Sequence, residues 1–233
     1  MLGVMKKNIL LFFFSLGNLF LVSAQPFNVD LNLSVGAPQG RFAEELDRNS
    51  LGLDIIFSYQ VPYTPVHIGA GIGYQNYGWE QRSTYLEEIP EIDLTVRTTN
   101  NIVTPHLLAR IEAPYGFMRP FIEGSMGFNY LYTETSLIDD YDEEEIASNV
   151  NYDYITTNVG LGGGLKINLY QGFNENGHFQ RISLVMKAKY MLGGNASYLR
   201  EGDLVRNGNF VDLNIRESRT DLATFNIGVA FNF

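Results

Sequence analysis

Cysteine is the first residue type that this 233-residue chain lacks. Its absence excludes disulfide bonds and thiolate metal sites, and it excludes a lipid anchor attached through an N-terminal cysteine. Basic residues are scarce, with 16 Lys and Arg against 26 Asp and Glu and a formal net charge of −10. An acidic chain repels phosphate backbones, so nucleic-acid binding is not expected.

Long apolar runs are missing beyond residue 25, so no later segment could cross a bilayer as a helix. The one apolar run, residues 9–22, follows two lysines and is succeeded by small residues. This order is typical of a cleaved export signal. We therefore expect a signal peptide over residues 1–24, cleavage before Gln25, and a mature domain over residues 25–233.

Glycine and aromatic residues are abundant, with 23 glycines and 13% aromatics. Apolar and polar residues alternate in runs that cover residues 27–35, 51–60, 66–75, 104–112, 122–130, 158–169, 182–190 and 224–233. Such repeated alternation, broken by polar segments, is typical of a membrane barrel. The chain is predicted to be all-β, an eight-stranded antiparallel up-and-down transmembrane β-barrel.

The two faces of these strands differ in character. One face is apolar, with aromatics such as Tyr59, Tyr74 and Trp79 near strand ends, as in the interfacial girdles of membrane barrels. The other face is rich in Gly, Asn, Ser and charge, which suits a narrow lumen. The apolar face is therefore predicted to contact lipid. Short turns alternate with long loops, which are predicted at residues 38–50, 76–101, 133–153 and 193–219.

Three stretches resemble the small outer-membrane β-barrel proteins of Bacteroidota and the eight-stranded barrels of the OmpA/OmpX type. They are residues 36–43, residues 119–124 and the final strand, 224–233. The aromatic residues Phe231 and Phe233 resemble the C-terminal signal that the barrel assembly machinery recognises. The resemblance implies a place in the bacterial outer membrane, in contact with lipid and lipopolysaccharide. It implies no cofactor, because the family shares no catalytic motif.

Charged side chains recur on the predicted lumen face. They are Asp30, Asp54, Arg110, Glu112, Glu123, Lys166, Lys187 and Lys189. Unpaired buried charges are costly, so these acids and bases are expected to pair. The network could belong to a gated conduit or to a plugged barrel. An eight-stranded barrel has room inside for side chains only, which favours the plugged barrel.

An acidic segment combines Glu134 with the run of residues 139–145 and contains no Lys or Arg. Its oxygen atoms could bind Ca²⁺, or divalent ions that bridge to lipopolysaccharide. The spacing matches no EF-hand, so a solvated charge run is the preferred interpretation. We predict neither a metal site nor a cofactor.

The function predicted from these observations is structural or partner-binding, without enzymatic activity. Aromatic residues in the predicted loops, among them Trp79, Tyr85, Tyr141 and Tyr198, could bind a partner, or the barrel could dock into a larger envelope complex. One alternative is a narrow or gated channel. A second is a lipid-modifying or proteolytic barrel enzyme that uses one of its histidines, His67, His106 or His178.

Overall fold

A computed structural model describes residues 27–46, 48–86, 89–139, 145–173, 179–207 and 210–233. The predicted signal peptide, its cleavage site and His178 lie outside these residues. Within them, none of the helical structure has the length and apolar character needed to span a bilayer.

Over the described residues the fold consists of twelve strands and one short helix. In chain order they are β1 (Phe27–Pro38), α1 (Arg41–Leu46), β2 (Ser50–Gln60), β3 (Val66–Leu86), β4 (Ile89–Glu112), β5 (Met118–Asp139), β6 (Glu145–Phe173), β7 (Phe179–Gly193), β8 (Asn195–Tyr198), β9 (Leu204–Asn207), β10 (Phe210–Leu213), β11 (Arg216–Arg219) and β12 (Leu222–Asn232). Eight of them close a barrel in the order β1-β12-β7-β6-β5-β4-β3-β2. The predicted eight-stranded antiparallel barrel is confirmed.

The first and last strands close the ring. β1 pairs with β12 without a register shift, with Val29 opposite Phe231. The amide of Phe233 extends this pairing by donating to Phe27 O at 2.9 Å. Closure removes the unpaired backbone edges that an open sheet would present to lipid.

Side-chain alternation separates an apolar exterior from a polar interior, as the sequence predicts. Leu33, Leu53 and Leu161 point outward and are 64%, 51% and 71% exposed, whereas Asn32, Asp54 and Lys166, at inward positions of the same three strands, are buried. Exposing so much apolar surface to water would be unfavourable by about 25 cal/mol for each Å². The exterior is therefore built for an apolar solvent.

Two of the predicted long loops are wrong. Residues 76–101 and 133–153 are mostly strand, because β3, β4, β5 and β6 continue far beyond the ends of β2 and β7, which flank them in the barrel. We call residues 77–86, 89–100, 132–139 and 145–157 the projecting sheet. Its strands contain more polar residues than those of the barrel, and apolar residues alternate with polar ones over only parts of them, such as residues 90–97.

The other two predicted loops contain small elements at the same end of the barrel. Residues 38–50 hold α1, which begins after Gly40, a glycine with a left-handed φ of 58°. Residues 193–219 hold two nested hairpins, because β8 pairs with β11 and β9 pairs with β10 between them. At the opposite end, short turns connect β2 to β3 and β4 to β5, as predicted. We call this opposite end the short-turn end.

Candidate functional site

All eight charged residues predicted for the lumen lie inside the barrel, and none is more than 6% exposed. They are Asp30, Asp54, Arg110, Glu112, Glu123, Lys166, Lys187 and Lys189. Each occupies the inward parity of its strand, so the period-two pattern directs these side chains to one shared volume.

Arg110 on β4 is the centre of this network and is fully buried. Its guanidinium lies 2.8 Å from Asp30 Oδ2 on β1 and 2.7 Å from Glu123 Oε2 on β5. The ring of Phe121 supports the guanidinium from one side, with its centroid 4.5 Å from Arg110 Cζ. One cation therefore joins strands on opposite sides of the lumen through charge-assisted hydrogen bonds.

Two lysines extend the network. Lys166 Nζ lies 3.2 Å from Asp30 Oδ1 and 3.3 Å from Glu112 Oε2. Lys187 Nζ lies 2.9 Å from Asp54 Oδ2 and 3.3 Å from Glu123 Oε1. These two lysines and Arg110 thus link all four carboxylates into one network. Mutual pairing is what makes several charges tolerable in a dry interior.

Two lumen residues were missed in the sequence. Arg119 pairs with Glu112, and Phe121 stacks on Arg110. Both share the inward parity of Glu123 on β5, and that parity could have identified them. The predicted strand began at residue 122, whereas the observed strand begins at Met118 and includes Pro120.

The two described histidines are buried beside this network. Asn28 Nδ2 donates to His67 Nδ1 at 3.1 Å, and His67 Nε2 lies 4.0 Å from Glu112 Oε2. His106 Nδ1 donates to the carbonyl of Thr104 at 3.1 Å. At 2% and 5% exposure, neither ring is accessible to a large substrate.

Amides and hydroxyls fill the lumen between the charges and the projecting sheet. Ser50 Oγ donates to Gln75 Oε1 at 2.9 Å, and Gln75 Nε2 donates to Ser34 Oγ at 3.0 Å. Across the barrel, Asn158 Nδ2 and Thr104 Oγ1 both donate to Asn129 Oδ1. This layer continues the polar interior with neutral groups.

An apolar cluster, which we call the cap, closes the lumen beneath the projecting sheet. Its members are Phe42, Leu46, Tyr77, Ile102, Leu131, Ala196 and Tyr198. Phe42 is fully buried, and its ring centroid lies 5.1 Å from that of Tyr198 in an edge-on arrangement. Burial raises the pKa of the Tyr198 phenol, whose oxygen lies 2.8 Å from Ser218 Oγ.

Ion pairs ring the cap on its solvent side. Arg216 joins Glu45 of α1 at 3.0 Å and Asp203 at 3.1 Å. Arg200 Nη1 donates to the carbonyl of Glu45 at 2.9 Å. These contacts fasten the helix to the hairpin segment, so two distant parts of the chain together seal the barrel.

The acidic segment offers little to describe, because residues 140–144 lie outside the described chain. Among the residues that the structure does cover, no three His, Asp or Glu side chains are arranged to hold a metal ion. The arrangement that remains is a barrel whose lumen is filled by paired charges and closed by an apolar cap.

Comparison with protein families identifies the family of this chain. The family model described as outer membrane protein beta-barrel domain matches residues 23–193. A search of curated proteins gave no match.

Several solved structures align with the fold at low identity. Neisserial surface protein A has 8% identity and a TM-score of 0.44, with 90% of this chain and 96% of that chain covered. Ail of Yersinia pestis, solved in complex with the heparin analogue sucrose octasulfate, has 12% identity and a TM-score of 0.36, with 90% and 97% covered. The N-terminal barrel domain of Pseudomonas aeruginosa OprF has 12% identity and a TM-score of 0.37, with 88% and 97% covered. At these scores no functional argument rests on them.

Proposed function

This chain belongs to the outer membrane protein beta-barrel domain family, and from that premise we propose that it is a closed barrel that binds a partner outside the cell. In such barrels the short turns and both termini face the periplasm. The projecting sheet and the cap are then extracellular. The filled lumen supports this role over that of a channel, because the interior has no room for a passing solute.

The projecting sheet supports partner binding because it has two edges. At these edges β3 continues beyond β2, and β6 continues beyond β7. β2 pairs with β3 as far as Asn76, and β7 pairs with β6 as far as Asn158. One further contact, from Gly194 N to Thr157 O, continues along β6. In the described chain, no strand pairs with the edge of residues 145–156, although β8 packs close to β6. Unpaired edges accept extended segments of other proteins through main-chain hydrogen bonds.

Side chains on this edge favour binding over simple solvation. Ile146, Val150 and Ile155 are 58%, 45% and 62% exposed. Natural edges that avoid pairing usually carry lysine or proline, yet residues 121–165 contain neither and have no arginine. The same hairpin carries acidic residues at Glu134, at Asp153 and through residues 139–145. An extended protein segment with basic side chains is the partner that these features fit.

Binding to the purified barrel in lipid nanodiscs tests this proposal. The probe is a synthetic ten-residue peptide of alternating Lys and Val, compared with one of alternating Glu and Val. The Lys-Val peptide is expected to bind and to slow hydrogen exchange of backbone amides in residues 145–156. Val150→Lys places a like charge on the edge and should weaken binding about tenfold, a change of about 1.4 kcal/mol.

Ser136→Lys is the matched control, because Ser136 lies in β5 directly opposite Ser148 of β6. It adds the same charge to the same hairpin on an interior strand, so the edge stays open. Equal weakening by both substitutions would reduce the effect to charge alone and overturn the edge as the binding site. Equal binding of the two peptides would overturn the basic partner.

The remaining roles rest on the position of outward residues and are proposals of the same kind. The apolar exterior would contact outer-membrane lipid and lipopolysaccharide. Phe231 and Phe233, at the end of the closing strand, would be recognised by the barrel assembly machinery during biogenesis. Docking of the barrel wall into a larger envelope complex would leave the lumen unchanged.

A further inference from the structure

Among the buried residues that the structure describes, the lumen has more cations than carboxylates, and Lys189 is the cation without a direct counter-ion. The cations are Arg110, Arg119, Lys166, Lys187 and Lys189, and the carboxylates are Asp30, Asp54, Glu112 and Glu123. Each of the other four cations has a carboxylate oxygen within 3.2 Å. In the described chain no carboxylate oxygen lies within 4.0 Å of the Lys189 ammonium, although this residue is only 6% exposed. Buried ammonium groups require a partner.

Lys189 lines a cavity of about 20 Å³ at the outer edge of the charge network. By this measure about 10–15 Å³ is enough for one water molecule. Asp54 and His106 line the same cavity, and Asp54 Oδ1 and His106 Nε2 are buried without hydrogen bonds. The two atoms are 4.0 Å apart. That separation is too long for a direct hydrogen bond but fits one oxygen atom bonded to both.

The hydrogen-bonding roles of these groups define the molecule that fits. A carbonyl only accepts, so the contact with Thr104 O places the proton of the neutral His106 ring on Nδ1 and leaves Nε2 as an acceptor. Asp54 Oδ1 is a second acceptor, and Lys189 is a donor. An anion would face two acceptors, and a cation would face the ammonium. Water donates two hydrogen bonds and accepts one, which matches all three groups.

We propose that the lumen contains a specific binding site for one water molecule, which accepts a hydrogen bond from Lys189 and donates to Asp54 and His106. This water connects the fifth cation to the network, because Asp54 Oδ2 already accepts from Lys187 at 2.9 Å. Gln75 and Thr104 line the same cavity. The site therefore joins the ionic part of the lumen to the layer of amides and hydroxyls above it.

Gly73 gives a substitution that distinguishes a hydrated cavity from a dry one. A Cβ at this position would lie 3.6 Å from Asp54 Oδ1 and 3.7 Å from Thr104 Cβ, which is ordinary contact without a clash. In a hydrated cavity, the methyl group of Gly73→Ala displaces the water and leaves its partners unbonded. The variant should then unfold at a lower temperature, measured by the heat-dependent gel shift of the folded barrel. In a dry cavity the same methyl group adds packing contacts, and the unfolding temperature stays equal or rises.

Gly124→Ala is the control for the general effect of adding a methyl group to a barrel strand, since its Cβ would meet nothing closer than 4.0 Å. A high-resolution crystal structure provides the second measurement. We expect one water peak within hydrogen-bonding distance of Lys189 Nζ, Asp54 Oδ1 and His106 Nε2, and its loss in Gly73→Ala. A dry cavity in the unaltered protein would overturn the proposal, and so would a Gly73→Ala protein as heat-stable as the control.

Discussion

The lumen and the cap are two interiors of one chain, and they are built from opposite kinds of residue. The lumen is surrounded by the apolar belt and contains paired charges around Arg110. The cap lies beneath the projecting sheet and contains apolar side chains around Phe42. The two interiors share strands β3, β4 and β5, so the change occurs within single elements.

The contrast follows from what surrounds each interior. In water, apolar burial drives packing, and the cap uses it. In lipid, apolar side chains are already in an apolar solvent, so burying them inside the barrel adds little stability. Polar side chains are unfavourable in lipid and are stabilised inside the barrel, where they can pair. The interior is thus polar where the barrel is surrounded by lipid and apolar where it is surrounded by water. Four substitutions test the comparison, from the largest expected effect to the smallest.

Removing the central cation of the lumen should have the largest effect. Arg110→Met leaves the buried negative charges of Asp30 and Glu123 without their central cation. Removing one partner of a buried ion pair costs about 3–5 kcal/mol. The free energy of unfolding, measured with urea in detergent micelles, should fall by that amount for the whole barrel. Arg219→Met is the control, because the Arg219 side chain is 57% exposed in its pair with Asp221. Such exposed pairs contribute about 0–1 kcal/mol, so equal losses would contradict a network that carries stability.

Truncating the centre of the cap should destabilise the cap by a similar free energy but leave the barrel folded. Phe42→Ala removes a fully buried ring, a change that costs about 3–5 kcal/mol in cores. Hydrogen exchange should accelerate in α1 and β8, while the heat-dependent gel shift of the barrel persists. Conductance in planar bilayers should not rise, because the filled lumen lies beneath. Arg41→Ala, on the exposed side of α1, is the control and should leave hydrogen exchange unchanged. A rise in conductance after Phe42→Ala would show that the cap alone closes the barrel.

The sequence predicted the lumen better than the cap, for a physical reason. Period-two alternation specifies which way a side chain points, so Asp30, Arg110 and Lys166 could be placed inside from parity alone. It also carries the apolar signal that lipid requires of the outer face. Beyond the barrel, polar residues become more frequent, and the alternation that persists over residues 90–97 was too short to identify residues 76–101 as strand.

The cap has no such periodic signal. Phe42 and Tyr198 are separated by more than one hundred and fifty residues in the chain and meet only because β12 and β7 bring the hairpin segment over α1. Contacts of this kind depend on tertiary closure rather than on local pattern. Arg119 marks an intermediate case, since it shares the inward parity of Glu123 but precedes residue 122, where the predicted strand began.

Outward substitutions on one strand test where the surroundings change. Leu161→Arg places a charge in the middle of the apolar belt on β6, which is expected to cost about 2–4 kcal/mol in a bilayer. Ile146→Arg adds the same charge on the projecting part of the same strand and should cost close to nothing. Both residues are well exposed, at 71% and 58%. Refolding into lipid vesicles and urea titration measure the difference, and equal costs would mean that the belt extends to residue 146.

The ion pairs around the cap should give the smallest effect. Arg216→Met removes contacts with Glu45 and Asp203, but the Arg216 side chain is 24% exposed and remains accessible to water. Hydrogen bonding to Asp203 raises the pKa of Arg216, so the guanidinium is charged throughout the working pH range. Ion pairs that water can reach contribute little to stability and weaken as salt screens them. Hydrogen exchange in α1 should rise slightly, and 1 M salt should abolish most of the difference from the unaltered protein. The fall in the free energy of unfolding caused by Arg110→Met should persist at the same salt concentration, because the partners of Arg110 are buried. If salt also reduced that effect, ions would have to enter the lumen, and the lumen would then be in contact with water as the cap is.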